Sequence, residues 1–141
     1  MQVCVIDGRG GGLGSRLVAG LQTELGNTHH IVALGTNTIA AAAMKRAGAA
    51  DVGVGSRAIT ETVPAMDVIV TSLNFLLPGA MLGEVTPEIV QAILGARAKK
   101  VLLPVNRARL EIMGIQGQTM DGLIDQTIFR IRTLLQQASL V

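Results

Sequence analysis

The run Asp7-Gly8-Arg9-Gly10-Gly11-Gly12-Leu13-Gly14-Ser15 holds the residue types best suited to chemistry in this chain. It follows a short apolar run, Val3-Cys4-Val5-Ile6. It precedes Leu13, Leu17, Val18, Leu21 and Leu25, which recur at helical spacing. A strand, a glycine turn and a helix in that order offer an anion the orphan N–H groups and partial positive charge of a helix start. Gly8, Gly10, Gly11 and Gly12 let a phosphate come close with no Cβ in the way. Arg9 can add a charge-assisted contact, the Leu13 amide belongs to the same turn, and Gly14 lets the helix lie close on the strand. The expected ligand is a nucleotide or another small phosphorylated molecule. A glycine turn needed only for chain topology is the plainer alternative.

Several sharper readings fail on spacing. Gly8, Gly12 and Gly14 match the G-x-x-x-G-x-G spacing of short-chain dehydrogenases, but no Tyr exists anywhere to perform their chemistry. The G-x-G-x-x-G fingerprint fails, because Leu13 or Ser15 occupies its last position. A P-loop needs Lys followed by Ser or Thr, where this chain has Ser15-Arg16. An NAD site places an acid after the second strand to hold the ribose, where this chain has Gly35-Thr36-Asn37. NADP or another nucleotide stays open, since Thr36, Asn37 and the more distant Lys45 or Arg46 offer partners for a 2′-phosphate. Thr36, Asn37 and Thr38 also serve as plain helix caps.

Other chemistry finds little support. Asp7 is a candidate base or metal ligand, although an acid there more often accepts from turn amides. His29 and His30 are adjacent, so on a strand they point to opposite faces and make a poor metal pair. Ser15 has no evident His base. Catalysis is left undecided, and an NADP-linked or other nucleotide-dependent enzyme is the alternative to a binding protein. A structural oligomer with no ligand is the third reading.

These residues need a scaffold, and the rest of the chain supplies one. Strands are expected at Val3–Ile6, His30–Leu34, Asp51–Val54, Asp67–Val70 and Lys100–Val105. Helices are expected after the glycine turn, over Ile39–Ala47, from Arg57 to Val63, after the Thr86-Pro87-Glu88 start, and after Thr119. This alternation implies a three-layer, Rossmann-like open α/β sheet, mainly parallel, in the order 3-2-1-4-5. Leu110–Ile115 is expected to add an antiparallel edge strand, since the link before it is too short for a crossover. In such a sheet the ligand lies at the strands' carboxyl ends. That rim brings Ser72, with Thr71 and Asn74, toward the glycine turn, and Asn106-Arg107 farther along. Arg9, Arg57 and Arg107 are candidates to converge on an anion, although scattered surface arginines are commoner. The apolar segment Leu73–Gly83 reads as a lid, a contact between subunits or an ordinary buried helix.

Composition limits the partners. The 141 residues suit one domain, residues 1–141, at 49% hydrophobic and 16% charged. That charged share is below the usual ~25%, so some apolar surface is expected to be covered in a homo-oligomer, a dimer first of all. The alternative is a monomer whose doubly buried sheet makes the sequence apolar. A net charge of +2 with two aromatic residues argues against nucleic acid. Cys4 is the single cysteine, no apolar run is long enough for a membrane span, and the start of the chain does not read as a signal peptide. Together they suggest the cytoplasm.

A resemblance follows from the motifs in combination. Val5-Ile6-Asp7-Gly8-Arg9-Gly10-Gly11-Gly12, Ala33-Leu34-Gly35-Thr36-Asn37, Ala43-Met44 with Ala47-Gly48-Ala49, Met81-Leu82-Gly83-Glu84 with Thr86-Pro87, and Pro104-Val105-Asn106 resemble a small bacterial family known only as a domain of unknown function. The likeness spans nearly the whole chain. It implies a compact cytoplasmic protein with a Rossmann-like fold, and it brings no activity or catalytic residue.

Overall fold

A computed structural model describes residues 1–104 and 110–139. Five parallel strands, β1 (Gln2–Asp7), β2 (His30–Gly35), β3 (Asp51–Val54), β4 (Val68–Ser72) and β5 (Lys99–Leu103), pair in the order β3-β2-β1-β4-β5. The connecting helices are α1 (Gly12–Leu25), α2 (Thr38–Arg46), α3 (Gly55–Thr62) and α4 (Pro87–Gly95), and α5 (Met120–Ser139) closes the described chain. This is the Rossmann-like α/β arrangement.

The strand residues alternate between two cores, as a strand's two-residue period requires. Val3 and Val5 of β1 face α1, α2 and α5, where Leu17, Leu21, Met44 and Ile131 are buried. Cys4 and Ile6 face the other layer, with Ile59 of α3, Ile89 and Ile93 of α4, and Phe75. Both faces are covered, so the central strands read as unbroken apolar runs. Helix ends follow the sequence signals. The Asn37 side chain accepts from the Ala40 N–H, Thr86 from the Ile89 N–H and Thr119 from the Gly122 N–H.

The antiparallel edge strand over Leu110–Ile115 does not form. Every strand in the sheet is parallel, and the segment turns instead at Gly114 and Gly117, both at positive φ. Gln116 fixes the first turn, accepting from the Gly114 N–H and donating to the Ile112 carbonyl. A side chain that satisfies its own backbone competes with a ladder.

Leu73–Gly83 is no continuous helix either. Leu73–Leu76 form one 3-10 turn that buries Phe75, and a compact loop follows. Gly79 N–H donates to the Val85 carbonyl at 2.7 Å and Val85 N–H to the Ala80 carbonyl at 3.1 Å, closing that loop on itself.

Connections on the two sides of β1 run in opposite directions, α1 leading to β2 while α4 links β4 to β5. The resulting switch point lies between β1 and β4, at whose carboxyl ends a crevice opens.

Candidate functional site

Asp7 ends β1 and organises the turn after it. Its carboxylate is buried and accepts from the Gly8 N–H at 2.8 Å and the Gly14 N–H at 2.7 Å. Burial raises its pKa above the ordinary value, the two amide bonds oppose that rise, and the nearby charge of Glu84 adds to it. Of the three sequence expectations for Asp7, the amide acceptor is the one the geometry supports.

The glycines of the turn fall into two groups. A Cβ on Gly8 would lie 2.7 Å from the Thr36 hydroxyl oxygen and 2.9 Å from the Met81 sulfur. On Gly11, at φ +72°, it would lie 2.9 Å from the Ala40 backbone, and on Gly14 it would lie 2.7 Å from Asp7 Cβ and the Met44 sulfur. The fold itself needs these three. On Gly10 and Gly12 a Cβ would meet nothing within 4 Å, and neither residue has a positive φ. Packing within the chain gives no reason for glycine at these two positions.

The N–H groups of the turn divide in a similar way. Gly8 and Gly14 donate to Asp7, Gly11 to the Gly8 carbonyl, and Ser15 to the Gly11 carbonyl. Among the described residues the Gly10, Gly12 and Leu13 N–H groups meet no acceptor. They border a crevice of about 250 Å³ walled by Asp7, residues 8–13, Ser72, Asn74, Met81 and Met120. Ser72, at the end of β4, is 2% exposed, and its hydroxyl has no hydrogen-bond partner among the described residues. Thr71 does not share this position, since its hydroxyl donates to the Ile6 carbonyl at 2.8 Å and ties β4 to β1.

Thr36 and Asn37 stand beside the turn, and both are engaged by an acid that the sequence reading did not single out. Glu84, from the loop before α4, accepts through one carboxylate oxygen from the Thr36 hydroxyl, from the Asn37 amide at 2.8 Å and from the Arg9 N–H at 3.1 Å. These bonds, led by that of Thr36, hold its pKa below the ordinary value against the opposing effect of burial. Asn37 also donates to the Arg9 carbonyl at 3.0 Å, which holds Arg9 at φ +50°. One signal in the sequence points to Glu84. It is the only acidic residue between Ser72 and Val85, an otherwise apolar stretch.

Other expected residues lie apart. Arg57 pairs with Glu61 on α3 at 2.8 Å. Lys45 and Arg46 lie in the last turn of α2, at the opposite end of that helix from Asn37. Asn106 and Arg107 fall outside the described residues. His30 opens β2, at the other end of the sheet, and pairs with Asp51. Ser15 Oγ donates to the Gly12 carbonyl at 3.0 Å. Among the described residues no cluster of His, Cys, Asp and Glu is arranged to hold a metal ion, and no helix is long and apolar enough to cross a membrane.

A larger open groove of about 480 Å³ lies between α1 and α5, lined by Gly20, Ile128, Phe129 and Arg132 among others. Its arginine is already paired with Glu24 at 3.0 Å, and none of its lining residues has an unpartnered buried polar atom. The smaller crevice has the polar groups a ligand needs, and size alone does not mark a site.

No curated protein matches the chain. Among solved structures it is similar to a dodecameric FMN-dependent UbiX-like decarboxylase from Escherichia coli O157:H7, at 14% identity and a TM-score of 0.56, over 96% of this chain and 94% of that one. That likeness shows the fold. A universal stress protein in complex with cAMP aligns over 72% of this chain and 95% of its own, at 20% identity and a TM-score of 0.39, too low to bear on the fold. The profile of one family, the domain of unknown function DUF3842, matches residues 2–136, and the chain belongs to that family.

Proposed function

We propose that this protein binds a nucleotide or another small phosphorylated ligand on the outward N–H groups of Gly10, Gly12 and Leu13. One observation carries the reading. The buried Ser72 hydroxyl, without a partner among the described residues, shares a crevice with three unfilled N–H groups at the start of α1. A buried hydroxyl left unpaired costs about 1–3 kcal/mol, and a phosphate oxygen in the crevice would recover that. A helix start supplies the matching field. The open space over Gly10 and Gly12 leaves room for the ligand, and the exposed Arg9 guanidinium can add a charge-assisted bond.

Gly8, Gly11 and Gly14 shape the turn in this reading. Thr36 and Asn37 lie on the side where the rest of the ligand extends, and Asn106 is assigned to the far rim on its sequence position alone. The similar decarboxylase depends on FMN, itself a nucleotide, which is in keeping with such a ligand. Self-association belongs to the same reading, since that protein is dodecameric and Leu82, Met113 and Phe129 stand exposed here. So does a cytoplasmic setting, where the buried Cys4 stays a thiol.

The test is calorimetric titration with inorganic phosphate and ribonucleoside diphosphates, run on the wild type and on Gly12→Val. A Cβ at position 12 meets nothing within 4 Å, so the variant is expected to fold, and its melting temperature checks this. Its branched side chain would cover the Gly12 and Leu13 N–H groups, and affinity should fall about tenfold or more, the loss of one charge-assisted bond. Undiminished binding in Gly12→Val would place the ligand elsewhere.

A further inference from the structure

We propose that the ligand's sugar carries free 2′- and 3′-hydroxyls, and that Glu84 is the carboxylate that accepts from one of them and turns away a phosphorylated sugar. This deepens the reading above and rests on it. Nucleotide sites of this architecture use an acid at the end of the second strand for that purpose, and here that position holds Thr36-Asn37. The structure brings an acid there from a different element. Glu84 Oε1 is gathered by the Thr36 hydroxyl, the Asn37 amide and the Arg9 N–H, directly over Gly8.

Three donors on one oxygen fix the carboxylate in place and saturate that oxygen. Oε2 has no hydrogen-bond partner among the described residues, and Glu84 is only partly buried. An ionised carboxylate has acceptor sites and no proton to give. It can therefore take a hydrogen bond from a sugar hydroxyl but offers a phosphate only repulsion.

Among the described residues, the other cations that a 2′-phosphate would want are distant or already paired. Lys45 and Arg46 sit at the far end of α2, and Arg57 is engaged with Glu61. Among the described residues Arg9 is the cation near Glu84, and the two partly neutralise each other. A nucleoside 5′-phosphate seated on Gly10, Gly12 and Leu13 carries its sugar hydroxyls one ring away. The Gly8 side of the turn, where Glu84 stands, is where they can arrive. The geometry favours a nucleotide with an unmodified ribose over NADP.

The test compares three forms of one nucleotide on the full chain by calorimetry. The ribonucleoside 5′-diphosphate that binds best is set against its 2′,3′-dideoxy and its 2′-phosphorylated counterparts, with inorganic phosphate as a separate probe of the turn. Wild type should bind the ribose form about tenfold more tightly than either counterpart, the worth of one hydrogen bond to a charged group. Glu84→Gln should erase most of that preference, because its amide can donate to a phosphate.

Equal binding of the ribose and dideoxy forms by wild type overturns the inference, and it does so even if Glu84→Gln fails to fold. So does a Glu84→Gln protein that tightens all three forms and inorganic phosphate alike, since Glu84 would then be a plug over a plain anion site. In both cases phosphate binding that is lost in Gly12→Val leaves the ligand site standing. If neither phosphate nor any nucleotide binds, the site reading fails and takes this inference with it.

Discussion

The Gly8–Gly14 turn and the Gly79–Glu84 turn meet over Gly8, where Met81 and Glu84 lie against the glycine's backbone. Both bend sharply, but they are built from different residues. The first uses glycine where space or φ demands it, at Gly8, Gly11 and Gly14. The second has glycines at 79 and 83, yet also holds Met81 and Leu82 at φ +56°, in the left-handed region that L side chains avoid. Met81 has a visible reason to accept that conformation, being buried against Gly8. Leu82 is 91% exposed and touches little. One turn is shaped by the sheet and helix around it. The other carries local strain and holds a carboxylate over the first.

The largest effect expected from this contrast lies within the glycine turn. Gly11→Ala meets a positive φ and the Ala40 backbone together, and the two should cost about 3 kcal/mol. Gly10→Ala and Gly12→Ala meet neither, and should stabilise by about 0.4–1 kcal/mol through the unfolded chain. Thermal and urea melts of the three variants decide the matter. Equal destabilisation at all three positions would mean that Gly10 and Gly12 serve the fold, which would remove their argument for a ligand.

What the sequence made legible follows the same division. The strand order, the caps at Asn37 and Thr86 and the position of the glycine turn depend on local residue types and periods, and these can be read in one dimension. Glu84 could not be read that way. Its partners Arg9, Thr36 and Asn37 are far away in sequence, and only the closed loop before α4 brings it to them. The missing acid after β2 was a correct observation about residues 35–37. It argued against a ribose contact only so long as that acid had to come from β2. Likewise Leu110–Ile115 has the composition of a strand, but the side-chain bonds of Gln116 and the positive φ of Gly114 and Gly117 shape residues 112–117 into turns instead.

Acid should separate the two carboxylates that face each other across the turns. The pKa of Glu84 lies below its ordinary 4.5 in the fold, so its bonds add stability above that pH, and the gain is lost as pH falls through the folded value. Asp7 has its pKa raised above 3.8, chiefly by burial, so its contribution has the opposite sign. Its ionised form is penalised in the fold, and acidification through the raised value relieves that. Melting temperature should accordingly fall less steeply below about pH 4.5 in Glu84→Gln than in wild type. Parallel curves for the two proteins would show that Glu84 does not hold its bonds to Thr36 and Asn37 in solution.

The smallest effect tests the strained turn itself. Leu82→Gly should relieve about 1–2 kcal/mol of left-handed strain against about 0.5–1 kcal/mol of added chain entropy, for a net change near zero or slightly stabilising. Gly83→Ala, one residue on at φ +89° with open space around it, has only the conformational penalty and should cost about 1 kcal/mol. The two substitutions are thus expected to differ in sign although they are neighbours on an exposed loop. If Leu82→Gly instead lowers the melting temperature as much as Gly83→Ala does, Leu82 is supported by contacts the isolated chain does not show. A second copy seated on the loop would supply them, and the dependence of that loss on protein concentration would reveal it.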